Sequence, residues 1–207
     1  MTQTRPYDGK SGRRVWLSRS EQDRLVDQFA ESPRKALALR LGLCGLRADE
    51  IPRVAREHVR QIDAEREAYK LVIPTAKRGK RETPLPEETK TLLVTTANAR
   101  GLAKDEPVID RVTKTVQRWA STAAEQLDDA EPAKAWNHVT FHDLRRTWAT
   151  DTFYTLAFHG VPIAEELTMG WGGWAMSESG RRTFRENYLG PEPDHIAHQA
   201  MEKAALL

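Results

Sequence analysis

The chain has 207 residues and a formal net charge of +2; 39% of its residues are hydrophobic and 30% are charged. This length fits one domain with short extensions. No apolar run approaches the roughly 18 residues of a membrane span, and the first residues lack the apolar segment of a secretory signal. The single cysteine, Cys44, has no internal disulfide partner, which indicates a reducing compartment. Its apolar neighbours favour a buried structural thiol.

The first predicted elements are a polar segment and two helices. Residues 1–15 show no apolar period, so we expect a flexible tail or the end of a linker. Ser18 and Glu21 form a capping-box pattern, which predicts a helix to about residue 31. A second helix begins at Ser32–Pro33, and its apolar composition predicts that it is buried.

One small antiparallel sheet is predicted next. Residues 69–74 and 82–85 have the pattern of two paired strands, and a third strand begins near His58. The tip between the first two carries four cations: Lys77, Arg78, Lys80 and Arg81. Such a tip is usually solvated, but it can also reach a DNA phosphate.

The second half is predicted to be mostly helical. Helices begin at Pro86 and Asp110, and an acidic loop follows at residues 128–138. The remaining predicted elements are a helix from Phe141 to about His159, a short helix over 161–167, a tight glycine-rich bend over 169–174 and a final helix over 193–207.

The helix predicted from Phe141 carries a histidine, two arginines and two hydroxyl residues over residues 141–150. Guanidinium groups fit the oxygens of a phosphate, and an imidazole can hold or move a proton. His-x-x-Arg alone is weak evidence, because it arises easily by chance.

A second stretch places Arg47 directly after the buried second helix, with Glu50 three residues later. Residues at that spacing meet on a helical turn, so Glu50 can orient Arg47. In isolation, a routine surface ion pair is the preferred interpretation.

The order of these motifs carries more information than any one of them. Gly-Leu-Arg-x-x-Glu, a basic hairpin before Thr-Pro-Leu-Pro, His-x-Leu-Arg-x-Thr, Gly-Trp and a late tyrosine follow one another. This series resembles the catalytic domain of tyrosine recombinases, the phage- and Xer-type integrases, over about residues 16–190. The segment from Gly172 to Gly190 is most similar to archaeal or archaeal-virus members.

The resemblance implies a role for each matched residue. Arg47 and Arg145 would clamp the phosphate, His142 would accept a proton, and Tyr188 would be the nucleophile. Lys77, or alternatively Lys80, would protonate the departing 5′ oxygen. Trp174, or alternatively Trp171, stands where many members have a histidine; its indole can donate a hydrogen bond but cannot transfer a proton. The spacing from Trp174 to Tyr188 is longer than is usual in the family.

The same resemblance implies the fold, the partner and the activity. We expect a mostly α-helical α+β domain with one small antiparallel sheet, spanning residues 16–207, with the family's N-terminal DNA-clamping domain absent. The expected activity is site-specific cleavage and rejoining of duplex DNA through a 3′-phosphotyrosine, without metal or cofactor. Arg146 is expected to contact the DNA backbone and Trp148 to pack in the core. Alternatives are type IB topoisomerase-like relaxation and a catalytically silent DNA-binding regulator.

Assembly and location follow as further expectations. A dimer or tetramer would form on DNA, and the final helix would pack either on a neighbouring subunit or on its own core. The protein would be cytoplasmic and nucleoid-associated, or in the host cytoplasm if it is viral, with no membrane contact.

Overall fold

The computed structural model describes residues 2–9, 11–73, 79–131 and 135–207. Within these ranges, five strands and eight α-helices follow one another, with short 3₁₀ turns between some of them. Their bounds are β1 (Gln3–Pro6), β2 (Arg13–Trp16), α1 (Arg19–Asp27), α2 (Pro33–Gly42), β3 (Val59–Gln61), β4 (Tyr69–Ile73), β5 (Arg81–Leu85), α3 (Glu87–Ala99), α4 (Thr113–Ala130), α5 (Phe141–Phe158), α6 (Ala164–Gly172), α7 (Glu178–Asn187) and α8 (Asp194–Lys203).

Helix α2 lies at the centre of the main core and packs against α1, α3, α4 and α5. Its leucines at 37, 39 and 41 are fully buried, as the apolar composition of the helix predicted. The chain leaves α2 through Gly45, whose φ of +85° is a left-handed conformation that glycine adopts without steric cost. A Cβ there would lie 2.5 Å from the Trp148 ring of α5, so this glycine also permits close approach of α5.

The predicted sheet is confirmed as the three-stranded antiparallel sheet β3-β4-β5. Strands β4 and β5 pair from Tyr69 opposite Leu85 to Ile73 opposite Arg81. Alternate residues of β5 are buried, which directs Arg81, Thr83 and Leu85 inward. Because β5 also packs on α6, the sheet positions Arg81 beside the end of that helix.

The N-terminal segment differs from the prediction of a tail. Strands β1 and β2 form a second, two-stranded antiparallel sheet, and β2 packs on α5. Val15 and Trp16 are buried, so the segment joins the core although its composition is polar. The Asp8–Gly9 pair is a hairpin-turn signal that the composition obscured.

Several helix boundaries also differ from their predictions: α1 ends at Asp27 rather than near residue 31, and α4 begins at Thr113 rather than at Asp110. The residues predicted as a glycine-rich bend continue α6 to Gly172, and only Gly173 is left-handed, with φ +71°. The final helix ends at Lys203 rather than at residue 207. The predicted starts of α1 and α2 are confirmed; Ser18 and Glu21 form the expected capping box.

In the part of the chain that the structure describes, no helix combines the length and the apolar character needed to cross a membrane.

Candidate active site

Arg47 follows the left-handed turn at Gly45 and is held by Glu50, as the spacing predicted. The Glu50 carboxylate accepts hydrogen bonds from the Arg47 amide at 2.7 Å and from Arg47 Nη1 at 2.8 Å. The Glu50 side chain is 2% exposed, whereas that of Arg47 is 29% exposed. Arg47 is therefore fixed from the protein side while part of its guanidinium faces solvent.

Arg81 is a buried member of the same network that the sequence did not single out as a site residue. Its Nη2 donates to Glu50 Oε2 at 2.6 Å and to the Gly45 carbonyl at 3.2 Å, and its Nη1 donates to the Trp171 carbonyl. Burial alone would raise the pKa of the Glu50 carboxyl, but the charge of Arg81 and the bonds from Arg47 hold it below its usual value. Glu50 is therefore ionised and shared between two arginines.

Arg145 is the most deeply placed cation of the site and has no exposed surface. Its Nη1 donates to the Gly45 carbonyl and its Nη2 to the Gly172 carbonyl at 2.6 Å. Its Nε is buried and has no hydrogen-bond partner among the described residues. Burial, together with Arg47 and Arg81, lowers the pKa of Arg145 to about 9, which still leaves the guanidinium charged at neutral pH.

Backbone carbonyls at the C-terminal end of α6 accept hydrogen bonds from all three arginines. The carbonyls of Trp171, Gly172 and Gly173 accept from Arg81, Arg145 and Arg47, the last at 3.4 Å. The last carbonyls of a helix lack intrahelical partners and carry partial negative charge, so they suit cations. The glycine-rich stretch is thus a helix end that orients cations.

Trp174 lies at the site and Trp171 lies outside it. The Arg145 guanidinium carbon is 4.2 Å from the centroid of the Trp174 ring, within the range of a cation–π contact. The Trp171 side chain instead lines a separate hollow with Trp148, Pro84 and Cys44. Of the two alternatives, the geometry favours Trp174.

Tyr188 follows the last residue of α7, and its ring meets three other candidate residues. Its centroid lies 4.5 Å from that of Trp174, 5.3 Å from that of His142 and 5.7 Å from the Arg145 guanidinium carbon. Phe184, one turn earlier, is fully buried and anchors α7 against the domain. The longer spacing from Trp174 to Tyr188 accommodates α7 and still brings the two rings together.

His142, at the start of α5, has an exposed surface and a strongly perturbed imidazole. The surrounding protein removes part of its hydration, and Arg146, Arg145 and Arg47 repel an added proton. Together they lower the pKa of His142 to about 3. The imidazole is therefore neutral at physiological pH and able to accept a hydrogen bond.

The hairpin lysine and Arg146 complete the set of predicted residues. Lys77 lies outside the described residues, while Lys80 is described and exposed just before β5. Arg146 is not available to DNA, which corrects the expected backbone contact: it is 6% exposed, pairs with Asp143, and donates to the Asn187 carbonyl at 3.1 Å. The prediction of Trp148 as a core residue is confirmed, at 7% exposure.

The arginines border two hollows. One, of about 190 Å³, is lined by Arg47, His142 and Arg145 together with Thr113 and Gln117 of α4. The other, of about 460 Å³, is lined by Arg47, Trp174 and Tyr188. The two hollows share Arg47, so His142 lines one side of this arginine and Tyr188 lines the other. Among the described residues there is no cluster of three or more histidine, cysteine or acidic side chains that could hold a metal ion.

Comparison with known proteins finds similarity at the level of structure. No family model and no curated protein matches the sequence. The crystal structure of XerA recombinase superimposes with a TM-score of 0.59 at 19% identity, covering 92% of this chain and 65% of that one. The Tn1549 transposon integrase in complex with transposon right end DNA gives 0.58 at 16% identity, covering 96% and 69%.

A lambda integrase dimer bound to a COC′ core site is also similar, with a TM-score of 0.52, 17% identity and coverage of 83% of this chain and 48% of that one. This chain therefore spans between about half and about two thirds of the length of these solved proteins. The mostly helical architecture with small antiparallel sheets is common to them. The chain has the fold of the catalytic domain of tyrosine recombinases.

Proposed function

We propose that this chain cleaves and rejoins duplex DNA as a site-specific recombinase or integrase, through a covalent 3′-phosphotyrosine formed at Tyr188. The observation that carries the proposal is the convergence of a phenol, an imidazole and a buried guanidinium, with Tyr188 within 5.7 Å of His142, Trp174 and Arg145 by ring or guanidinium centres. Packing alone would not require two charged arginines and a neutral histidine around one tyrosine. Phosphoryl transfer to a tyrosine gives each of them a role: a base that accepts the phenol proton and cations that stabilise the developing charge.

The reaction can be written with these groups in place. The Tyr188 hydroxyl oxygen attacks phosphorus, its proton passes to His142, and the bond from phosphorus to the 5′ oxygen breaks. Lys77, or Lys80 if the hairpin is aligned differently, gives a proton to that 5′ oxygen. In the reverse step a 5′ hydroxyl attacks the phosphotyrosine, restores the phosphodiester and returns the proton to Tyr188.

Arg47 and Arg145 stabilise the charge that develops on the non-bridging oxygens. Arg47 faces solvent at the edge of the smaller hollow, and Arg145 retains an Nε without a partner among the described residues. Arg47 can therefore donate to a phosphate while it keeps its bonds to Glu50, and the buried Arg145 acts on the phosphate through its positive charge. The Trp174 ring lies 4.2 Å from the Arg145 guanidinium carbon, and an indole carries one N–H that can donate a hydrogen bond to a phosphate.

His142 becomes a better proton acceptor when the phosphate arrives. In the free protein, partial desolvation and three nearby arginines keep its pKa at about 3. An anionic phosphodiester between Arg47 and Arg145 offsets part of their positive charge, so the imidazole pKa rises toward its ordinary value. A base whose pKa approaches the working pH is more effective in proton transfer.

Helix α4 supplies a basic surface next to the site. Thr113 and Gln117 line the smaller hollow, and Lys114 and Arg118 are exposed on the same helix. Contacts from these side chains to phosphates flanking the cleaved one would orient the duplex. Because such contacts release counterions, binding should weaken steeply as salt is raised.

Assembly on DNA as a dimer or tetramer is part of the proposal. The first half of α8 packs on its own domain, where Ile196 is 6% exposed, whereas Met201, Leu206 and Leu207 are 40%, 70% and 71% exposed. We infer that these exposed apolar side chains contact a neighbouring subunit on DNA, while the first half of α8 stays on its own domain.

The test is trapping of the covalent intermediate. The protein is incubated with a pool of duplexes of randomised sequence, each nicked so that the short strand released by cleavage diffuses away. We expect a denaturation-resistant protein–DNA adduct that is absent in Tyr188→Phe and present in Tyr69→Phe, a matched change on the distant strand β4. Absence of an adduct with the wild-type chain on every duplex would contradict the enzymatic proposal.

A second assay separates recombination from relaxation. Duplexes recovered from the adduct are placed on supercoiled plasmids that carry one or two copies of the site. Strand exchange between two copies supports a recombinase, while relaxation of a one-site plasmid by the monomer, without exchange, supports the topoisomerase alternative. DNA binding without any adduct supports the silent regulator.

A further inference from the structure

The backbone of Tyr188 is held by two side chains from different parts of the chain. Its carbonyl oxygen accepts from Trp16 Nε1 of β2 at 2.9 Å and from Thr150 Oγ1 of α5 at 3.0 Å. Trp16 is 4% exposed and Thr150 is 2% exposed, so both donors act away from water.

The residues on either side of Tyr188 are held in the same way. The Asn187 side-chain oxygen accepts from Arg14 Nη2 at 2.9 Å, and the Gly190 amide donates to Thr150 Oγ1 at 2.9 Å. Gly190 also lies against the Trp16 indole, where a Cβ would be 2.7 Å from the ring. The segment 187–190 is thus bonded to β2 on one side and to α5 on the other.

We propose that Trp16 and Thr150 are positioning residues for Tyr188, and that the N-terminal hairpin is therefore part of the apparatus that aims the nucleophile. The inference rests on the proposed function of Tyr188. Helix α5 carries His142 and Arg145, so Thr150 fixes the distance of the tyrosine segment from those groups. Strand β2 holds segment 187–190 against α5, because the Trp16 ring packs on Gly190 and its N–H donates to the Tyr188 carbonyl.

Loss of either hydrogen bond should let the segment 187–190 move and displace the Tyr188 phenol. Trp16, Thr150 and Pro191 line a hollow of about 340 Å³, so the segment has room to move once a bond is lost. A phenol displaced by about 1 Å from its attacking position loses up to about 100-fold in rate. DNA affinity depends on other residues and should not change.

The test uses variants that remove single donors. Trp16→Phe keeps a ring but loses the N–H; Thr150→Val loses the hydroxyl, and Thr150→Ser keeps it. Trp136→Phe is the matched control, because the Trp136 indole is fully buried and its Nε1 has no hydrogen-bond partner in the described part of the chain. Single-turnover adduct formation is measured at saturating suicide duplex, DNA binding by titration, and amide exchange at Gly190 without DNA.

We expect Trp16→Phe and Thr150→Val to slow adduct formation roughly 10- to 100-fold, with unchanged DNA affinity, while Thr150→Ser and Trp136→Phe stay near wild type. A substrate whose 5′ bridging oxygen is replaced by sulfur should not restore the rate. Such a leaving group relieves a defect in protonation but not one in the approach of the nucleophile. Amide hydrogen exchange at Gly190 should be faster in Trp16→Phe than in wild type. The Gly190 amide bonds to the Thr150 hydroxyl, which this variant keeps, so faster exchange would report that the whole segment is less firmly held.

Wild-type rates in Trp16→Phe and Thr150→Val, or a rate restored by the sulfur substrate, would overturn the positioning role. Unchanged Gly190 exchange in Trp16→Phe would overturn it as well. If the wild-type chain forms no adduct, the proposed function fails, and the exchange measurement still decides whether Trp16 holds the segment.

Discussion

Replacing Glu50 with glutamine tests whether the arginines depend on one shared carboxylate. Glu50 is 2% exposed, and its two oxygens accept from the Arg47 amide, Arg47 Nη1 and Arg81 Nη2 at 2.6 to 2.8 Å. Glutamine has nearly the same shape but no charge, and its amide group presents hydrogens to one of the two guanidinium groups. The substitution therefore removes the only carboxylate that Arg81 contacts among the described residues.

The size of the effect follows from the burial of Arg81, whose side chain is 5% exposed. Removing one partner of a buried ion pair costs about 3–5 kcal/mol, because the other charge is left uncompensated. The carbonyls of Gly45 and Trp171 still accept from Arg81, so we expect the lower end, about 3 kcal/mol. For a domain of this size, that corresponds to a fall in Tm of roughly 6–12 °C.

The assay is urea unfolding at pH 7 in low and high salt, together with thermal unfolding. Glu82→Gln is the matched control, since Glu82 pairs with Arg60 on the exposed side of the same sheet. We expect Glu82→Gln to lower the free energy of unfolding by a small fraction of the change in Glu50→Gln, and we expect this smaller effect to decrease further in high salt. Equal losses in the two variants would refute the argument that burial makes the Glu50 network costly to break.

Three further predictions concern other sites. Gly172→Ala places a Cβ 1.9 Å from the Trp174 ring, so it should displace the indole, lower stability by about 1–3 kcal/mol and slow adduct formation. The control is Gly170→Ala, whose Cβ would be no closer than 3.5 Å to a neighbour; this variant should be neutral or stabilising in urea unfolding. Burial raises the pKa of Asp151 to about 6, so the protonated carboxyl group stabilises the fold below about pH 4 and this contribution is lost as pH rises to about 6. Asp151→Asn should therefore be more stable than wild type at pH 8, by up to about 3 kcal/mol, and should show no gain below pH 4 in unfolding titrations. Burial raises the pKa of the Cys44 thiol to about 12, so a disulfide reagent at pH 8 should react with it only after unfolding, and reaction with the native protein would contradict its burial.

Local sequence patterns predicted most elements because each has a local cause. The capping box at Ser18 begins α1, Ser32–Pro33 begins α2, and the strand pattern over residues 82–85 identifies most of β5. Arg47 and Glu50 could be paired in advance because they are three residues apart. Each of these features depends only on residues that are close together in the sequence.

The features that escaped prediction depend on contacts between distant segments. Arg81 looked like one of four tip cations, and only the packing of β5 on α6 buries it. Arg146 looked free for DNA, but Asp143 and the Asn187 carbonyl enclose it. The N-terminal hairpin was missed because its burial against α5 is not visible in its own polar composition.

The end of α6 holds three arginines through backbone oxygens, and this limits what variation among related sequences can reveal. A carbonyl is the same in every residue, so the side chain at Trp171 can change without altering what Arg81 binds. Substitution patterns would therefore report little coupling between α6 and the arginines. Insertion or deletion of one residue within α6 would rotate its end by about 100° and withdraw all three acceptors together. Natural variants and engineered chimaeras must therefore preserve the length of this helix, in addition to Gly172, where a Cβ would meet the Trp174 ring.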